Sequence, residues 1–307
     1  MAMGSEALAG SGFDAAAAGD DAQVAQAYAY LQGGQLDQLM QVLPPLAREG
    51  NARAQFLLGE LYSRGEGVTQ DDEQAARWWR QAADQGLAFA QNELGVVLMD
   101  GRGVEADPLQ ALAWYRKAAD QGLGVAQVNI GLAYFNGVEG IPRDDRQAVA
   151  WFQKAAGQGL GWAQFYLGVA CYNGRGVVKN LPQAFAWFQK AADQGYTEAQ
   201  YSLGAMYARG EGRLRDNRRA IEWFARAAQN GHERAEQSLR QLVRGLTRTR
   251  LPAGIGIREE PDATASNVQT LTRREFARVL NRGSDWMEIY LEDSHLVGYV
   301  SAQDLRR

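Results

Sequence analysis

Tryptophan recurs at Trp78, Trp114, Trp151, Trp187 and Trp223, at spacings of 36, 37, 36 and 36 residues, and the intervening residues repeat with it. A period of that length means one supersecondary unit copied in tandem, each copy burying its apolar face against a neighbour. Within a unit two apolar stretches follow the 3.6-residue period of a helix: Ala54, Leu58, Gly59 and Tyr62, then Ala75, Trp78, Trp79, Ala82 and Ala83. The spacing predicts a stack of helix pairs. Each Trp stands beside two alanines, such as Ala118-Ala119 or Ala191-Ala192, which let the next helix approach while the ring fills the gap. The tryptophans are therefore expected to be scaffold.

Turn chemistry agrees. First helices run into Gly65 and Gly67, Gly101 and Gly103, Gly137 and Gly140, Gly174 and Gly176, and Gly210 and Gly212, placed to close a helix. Asp71, Asp107, Asp144, Asn180 and Asp216 stand four residues before the first alanine of each second helix, where a short oxygen-bearing side chain caps free amides. The one extra residue, in the third unit, falls in the loop from Gly137 to Pro142, where an insertion costs least.

The strings AQFLLGELYSRGEGVTQDDEQAARWWRQAADQG, AQNELGVVLMDGRGVEADPLQALAWYRKAADQG and AQYSLGAMYARGEGRLRDNRRAIEWFARAAQNG resemble Sel-one-like repeats, short relatives of tetratricopeptide repeats. Five full units run from about Asn51 to Gly231. Tyr28 to Gly50 reads as a degenerate pair in front, and Ala235, Leu239 and Leu242 begin an unpaired helix behind. The resemblance implies a mostly α chain, a right-handed α-solenoid over residues 21–246. Beyond it the period breaks, and alternation at Met287, Ile289 and Leu291, then Leu296, Gly298 and Val300, argues for strands. Residues 252–307 resemble a bacterial Src-homology-three-like domain, a small β-barrel, through Ile257-Arg258, the run Gly283 to Trp286, and Gly298-Tyr299-Val300. Gly256-Ile257-Arg258 lacks the asparagine of that family's pattern. Residues 1–20, rich in Ala and Gly, are expected to be a disordered segment or tag.

Composition narrows the function. The net charge of −4 supports no nucleic-acid role, and no run of about 18 apolar residues is present to span a membrane. A lone Cys171 allows no internal disulfide, and its place, shared with Tyr62, Tyr134 and Tyr207, reads as packed core. The two histidines, His232 and His295, fall in different domains, so no metal site, cofactor or catalytic group is expected. The Gly-x-Gly loops follow helices instead of strands and read as turns. Acidic residues are expected in caps and on solvated faces. The chain is read as non-enzymatic.

By the tetratricopeptide resemblance, first helices line a concave groove. One ring of positions outside the core pattern holds Phe56, Asn92, Val128, Phe165 and Tyr201, the next Glu60, Val96, Leu132, Val169 and Ala205, and a third Ser63, Met99, Phe135, Tyr172 and Ala208. Phe89 and Trp162 stand at the edge. Aromatic residues on a surface that packing does not dictate point to a partner-binding site at Phe56, Phe89, Asn92, Val128, Leu132, Phe135, Trp162, Phe165, Val169, Tyr172 and Tyr201. The competing reading is that several of them pack between adjacent first helices.

Two functional classes follow from the resemblances. The first is an adaptor or inhibitor in the bacterial envelope that grips another protein, an enzyme or toxin, in the groove, as an immunity protein does. The second is a peptidoglycan-associated module that recruits a wall enzyme, in which case the small domain engages the wall. Without a ligand, that domain instead caps the array or adds a second contact. The expected location is the periplasm or cell envelope, with the cytoplasm as the alternative; Ala7-Leu8-Ala9 resembles the small-residue end of a secretory signal, without the apolar stretch that precedes one.

Overall fold

The computed structural model describes residues 22–262 and 264–306. The segment expected to be disordered, residues 1–20, lies outside the described residues. Thirteen helices come first among those described: α1 (Ala22–Gln32), α2 (Leu36–Arg48), α3 (Ala52–Arg64), α4 (Asp72–Asp84), α5 (Ala88–Asp100), α6 (Pro108–Asp120), α7 (Gly124–Asn136), α8 (Asp145–Gly157), α9 (Gly161–Asn173), α10 (Leu181–Asp193), α11 (Thr197–Arg209), α12 (Asn217–Gln229) and α13 (Glu233–Val243). They form a solenoid of helix pairs, and a small antiparallel sheet follows. The chain divides into two compact units between Ala163 and Gln164.

The five expected caps are in place. Asp71, Asp107, Asp144, Asn180 and Asp216 each accept from the amide three residues on, at 2.9 to 3.0 Å. Each also donates its own amide back to the first helix, to the carbonyls of Tyr62, Leu98, Tyr134, Cys171 and Tyr207, which locks the turn. The extra residue of the third unit is absorbed in the loop, where Val138 and Ile141 form a bridge. Gly103, in the loop between α5 and α6, shows why these turns need glycine: its φ is +66°, and a Cβ there would lie 2.2 Å from the Asp72 carbonyl.

The ring that joins the two helices of a pair is not the periodic tryptophan but the residue after it. Trp79, Tyr115, Phe152, Phe188 and Phe224 are 0 to 3% exposed, and each lies on a glycine of its first helix. A Cβ added at Gly59, Gly95, Gly131, Gly168 or Gly204 would come within 2.5 to 2.8 Å of that ring. Trp114 and Trp223 are also buried, but Trp78, Trp151 and Trp187 are only half-buried. Four of the five tryptophans carry a cation on the ring face, Lys117, Lys154, Lys190 and Arg226, at 3.7 to 4.7 Å from the centroid.

Buried glutamines tie the first helix of each repeat to the end of its second helix, and at three repeats to the preceding helix as well. In the first unit, Gln85 donates to Gln55 (2.7 Å), Gln121 to Gln91 (2.8 Å) and Gln158 to Gln127 (3.1 Å). In the second, Gln194 donates to Gln164 (2.9 Å) and Asn230 to Gln200 (3.3 Å). Gln55, Gln91 and Gln200 also donate to the carbonyls of Ala47, Ala83 and Ala192 in the preceding helix. The amides of Gln55, Gln91 and Gln200 are thereby satisfied at both oxygen and nitrogen.

The sheet belongs to the second unit. Its strands are β1 (Arg248–Leu251), β2 (Gly256–Arg258), β3 (Asn267–Thr270), β4 (Glu275–Arg282), β5 (Trp286–Leu291) and β6 (Val297–Ser301), in the order β1-β4-β5-β6-β2-β3. The sheet thus begins at Arg248, ahead of residue 252, because β1 pairs along β4 and buries Leu251 in the sheet core. Among the described residues no ladder joins β1 to β3. Both faces of β5 are covered: Ile289 and Leu291 point into the sheet's own core, while Tyr290 joins the core of the last helices. Beside it, Glu288, 3% exposed, accepts two bonds from Arg218 Nε of α12 at 2.8 and 2.9 Å and one from Tyr299 Oη at 3.2 Å.

These contacts set two expectations for stability. Phe152→Ala is expected to cost ~3–5 kcal/mol and Gly131→Ala ~1–3 kcal/mol, whereas Trp151→Ala, at a half-buried site, costs less than Phe152→Ala; urea unfolding of the three variants gives the ranking. Arg218→Ala strands a buried carboxylate and is expected to cost about 3 kcal/mol, with part of the loss recovered when Glu288→Gln is added. Unfolding of the four proteins of that cycle measures the coupling.

Candidate functional site

The expected site residues divide by burial. Phe56, Asn92, Val128, Leu132 and Phe135 are buried, at 0 to 7% exposure, so they pack between helices and present little surface to a partner. Phe56 meets Phe89 at 6.3 Å, and Phe135 sits edge-on to Phe152 at 5.9 Å. Phe89, Trp162, Phe165, Val169, Tyr172 and Tyr201 are half-buried. Burial follows from first helices packing side by side: eleven of the thirteen residues of α7 are buried.

In the second unit the structure brings three of these residues together. Val169, Tyr172 and Tyr201 line a cavity of about 190 Å3 with Phe188, Met206 and Arg209. Tyr172 Oη donates to Glu211 (3.0 Å), which also accepts from Arg209 Nε (3.0 Å). Tyr201 stacks on His232 at 4.5 Å and 18°. Phe165 stands behind this wall, 5.0 Å from Tyr196 and 5.7 Å from Phe188. His232 was not singled out from the sequence. It caps α13, accepting from Ala235 N at 3.1 Å, and its other nitrogen lies 3.3 Å from Glu198.

The first unit carries a cavity at the same register. Met99, Tyr115, Asn129 and Leu132 line about 170 Å3 at α5, α6 and α7, at the positions that Tyr172, Phe188, Ser202 and Ala205 occupy in the other cleft. Behind it lies a buried acidic relay. Asn129 Nδ2 donates to Asn92 Oδ1 (2.9 Å), and Asn92 Nδ2 donates to Glu93 Oε1 (2.9 Å). Glu60 accepts from Arg64 at 2.8 Å. Glu60 and Glu93 are each only 7% exposed, which corrects the expectation of solvated acids. Burial, the largest cause, pushes the Glu93 carboxyl up to about 8; the Glu60 charge adds to it, and the Asn92 bond, Arg102 and Arg64 oppose it. Burial likewise raises Glu60 to about 7 against the pull of Arg64. The signal available in the sequence was a charged residue on a helix otherwise apolar all round. Among the described residues, no group of three or more His, Cys, Asp or Glu side chains assembles to hold a metal, and no helix is long and apolar enough to cross a membrane.

With that geometry in view, the Sel1 repeat family matches at five successive segments, residues 52–87, 88–123, 124–160, 163–196 and 197–232. A protective antigen present in uropathogenic Escherichia coli strains, described as displaying an SLR fold, is 36% identical with a TM-score of 0.67; the match covers 75% of this chain and 50% of that one. The chain thus spans about half the length of that relative. A Sel1 repeat protein from Oxalobacter formigenes is 32% identical with a TM-score of 0.65, over 71% of this chain and 86% of that one. No protein of curated function matches.

The relay has a pH signature opposite to ordinary acid denaturation. A carboxyl whose pKa is higher folded than unfolded contributes stability that is fully present below about 4.5 and is lost as pH rises through about 7 to 8. Glu93→Gln, which keeps the protonated shape, is expected to raise Tm on the order of 5 °C at pH 8.5 and to leave it unchanged near pH 4. Thermal melts of both proteins across that range check the sign.

Proposed function

The chain belongs to the Sel1 repeat family, and from that premise we propose that it is a non-enzymatic adaptor or inhibitor that binds another protein in the clefts between successive first helices. One observation carries the reading. Each unit has a cavity at one shared register of the repeat, and the lining differs between the two while the glycine and glutamine framework behind it does not. Framework positions are dictated by packing; the cleft positions are not, and a surface of that kind suits recognition. Half-buried tyrosines at Tyr172 and Tyr201 supply the rigid amphipathic contacts that dominate protein interfaces.

The test begins with a partner captured by cross-linking and then purified. Tyr172→Ala and Tyr201→Ala are each expected to weaken its binding by ~2 kcal/mol or more, with unchanged circular dichroism, while Lys190→Ala on the exposed side of α10 changes affinity little. Calorimetric titration reads the difference. A partner whose own enzymatic or toxic activity disappears on binding makes the chain an inhibitor of the immunity type; one that stays active makes it an adaptor. Affinity that is indifferent to both tyrosines but lost when residues 248–306 are removed would move the site to the sheet.

A further inference from the structure

Two loops of the second unit carry aliphatic side chains that the described residues leave uncovered. Val178 is 89% exposed and Leu214 88%, well above the other exposed large hydrophobic side chains, Leu109, Val268 and Phe276, at 41 to 58%. Both stand two residues before the cap of a second helix, Asn180 for α10 and Asp216 for α12. Their turns share one conformation. Gly174 and Gly210 each have a φ of +72°, and Asn180 and Asp216 donate their amides to the carbonyls of Cys171 and Tyr207 at 2.8 and 3.0 Å. The two loops are also neighbours, since a Cβ on Gly212 would lie 2.5 Å from the Leu181 carbonyl oxygen at the start of α10. The tips therefore stand side by side on one edge of the unit.

A single exposed leucine is ordinary on a folded protein. A pair at one register is not a product of the repeat, because the same place holds Thr69, Glu105 and Pro142 in the three repeats of the first unit. The charges change with it. Loop 174–180 holds Arg175 and Lys179 and no acid, and its cap is Asn180 where the four other repeats use Asp. Each corresponding loop of the first unit holds two acids. Loop 210–216 adds Arg213 and Arg215, and its own two acids are engaged. Glu211 accepts from Arg209 Nε and Tyr172 Oη, both at 3.0 Å, and Asp216 caps α12 and lies 3.5 Å from Arg219. Lys179, Arg213 and Arg215 are exposed, and Lys179 and Arg215 directly follow the two tips.

An aliphatic tip beside a cation suits a surface that is anionic outside and apolar beneath. A protein interface of ordinary size buries about 800 Å2 per partner around a contiguous apolar core, whereas these tips are set apart by charged side chains. A bilayer accepts single tips. The aliphatic group enters the boundary of the acyl chains while neighbouring cations stay at the depth of the lipid phosphates, held there by the surface potential.

We propose that this loop edge docks on an anionic phospholipid membrane, with Val178 and Leu214 inserted between headgroups and Lys179, Arg213 and Arg215 on their phosphates. Contact of this kind is peripheral and requires no spanning helix. The inference does not depend on the groove reading given under Proposed function.

The test is co-sedimentation of the full chain with vesicles of phosphatidylcholine alone and of phosphatidylcholine with phosphatidylglycerol in equal parts. Binding to the mixed vesicles is expected to exceed binding to phosphatidylcholine by about ten-fold or more and to fall as salt is raised. Val178→Ser, Leu214→Ser, Lys179→Gln and Arg215→Gln are each expected to weaken it about five-fold, and Leu214→Phe to strengthen it. Tm and circular dichroism stay unchanged because the four positions are exposed. Leu109→Ser, at an exposed leucine of the first unit, leaves binding as it was. No binding to either vesicle overturns the proposal. Binding to the mixed vesicles that both serine variants retain also overturns it, since charge alone would then account for the contact. If Val178→Ser and Leu214→Ser release the captured partner and leave vesicle binding unchanged, the tips belong to a protein interface and the membrane reading falls.

Discussion

The contact on which the array depends is an aromatic ring laid on a glycine. In each of the five repeats the second helix inserts Trp79, Tyr115, Phe152, Phe188 or Phe224 against Gly59, Gly95, Gly131, Gly168 or Gly204, at a distance that excludes any β-carbon. Glycine in a helix interior costs about 1 kcal/mol relative to alanine, and burial of the ring offsets this by several times that amount. The ring thereby fixes the separation of the two helices. It also decides which first-helix positions are left over: the residue after each glycine, Glu60, Val96, Leu132, Val169 or Ala205, has no part in the interlock and varies freely.

Two kinds of buried polarity then separate. Gln55, Gln91, Gln127, Gln164 and Gln200 recur in every repeat and each accepts from the side chain that ends the second helix of its own repeat, so the scaffold keeps them satisfied. Glu93, Asn129 and Ser202, at one shared register, do not recur, and the first two form a relay that ends in an unengaged oxygen. Repeated polar groups are satisfied because the scaffold needs them to be. The irregular ones owe nothing to the scaffold, and it is among them that function is to be sought.

The caps, turns, repeat count and insertion point were legible in the sequence because each is a local matter: Asp71 caps an amide three residues away, and the loop at Gly137 to Ile141 closes on itself. The interlocking ring was missed by one residue because Trp78 and Trp79 are adjacent and both large, and a period registers identity without direction. The burial of the first-helix positions was only partly legible. Tyr172, Tyr201 and Val169 do share a cavity, but Phe56, Val128 and Phe135 are covered by neighbouring helices, and the variability of a repeat position does not reveal how closely the next copy approaches. Glu60 and Glu93 were misread as solvated because helices such as α5, buried over nine of thirteen residues, have no solvent face to which a charge could be assigned. The docking of β5 was hidden for a related reason: Glu288 and Tyr290 look like the wet side of an amphipathic strand, yet they face α12 and the last helical core.

A framework that separates packing positions from cleft positions lets neighbouring copies diverge without loss of fold. The two cavities illustrate this within one chain. Tyr172, Phe188, Ser202 and Arg209 make an aromatic cleft with a cation at its side, while Met99, Tyr115, Asn129 and Asp100 line the other. Neither set touches the glutamine ties, and only the ring at Tyr115 and Phe188 serves both the interlock and the cleft. Tyr115 and Phe188 differ there by one hydroxyl while the packing of the ring on its glycine is the same, so the scaffold admits such a change without loss of the interlock.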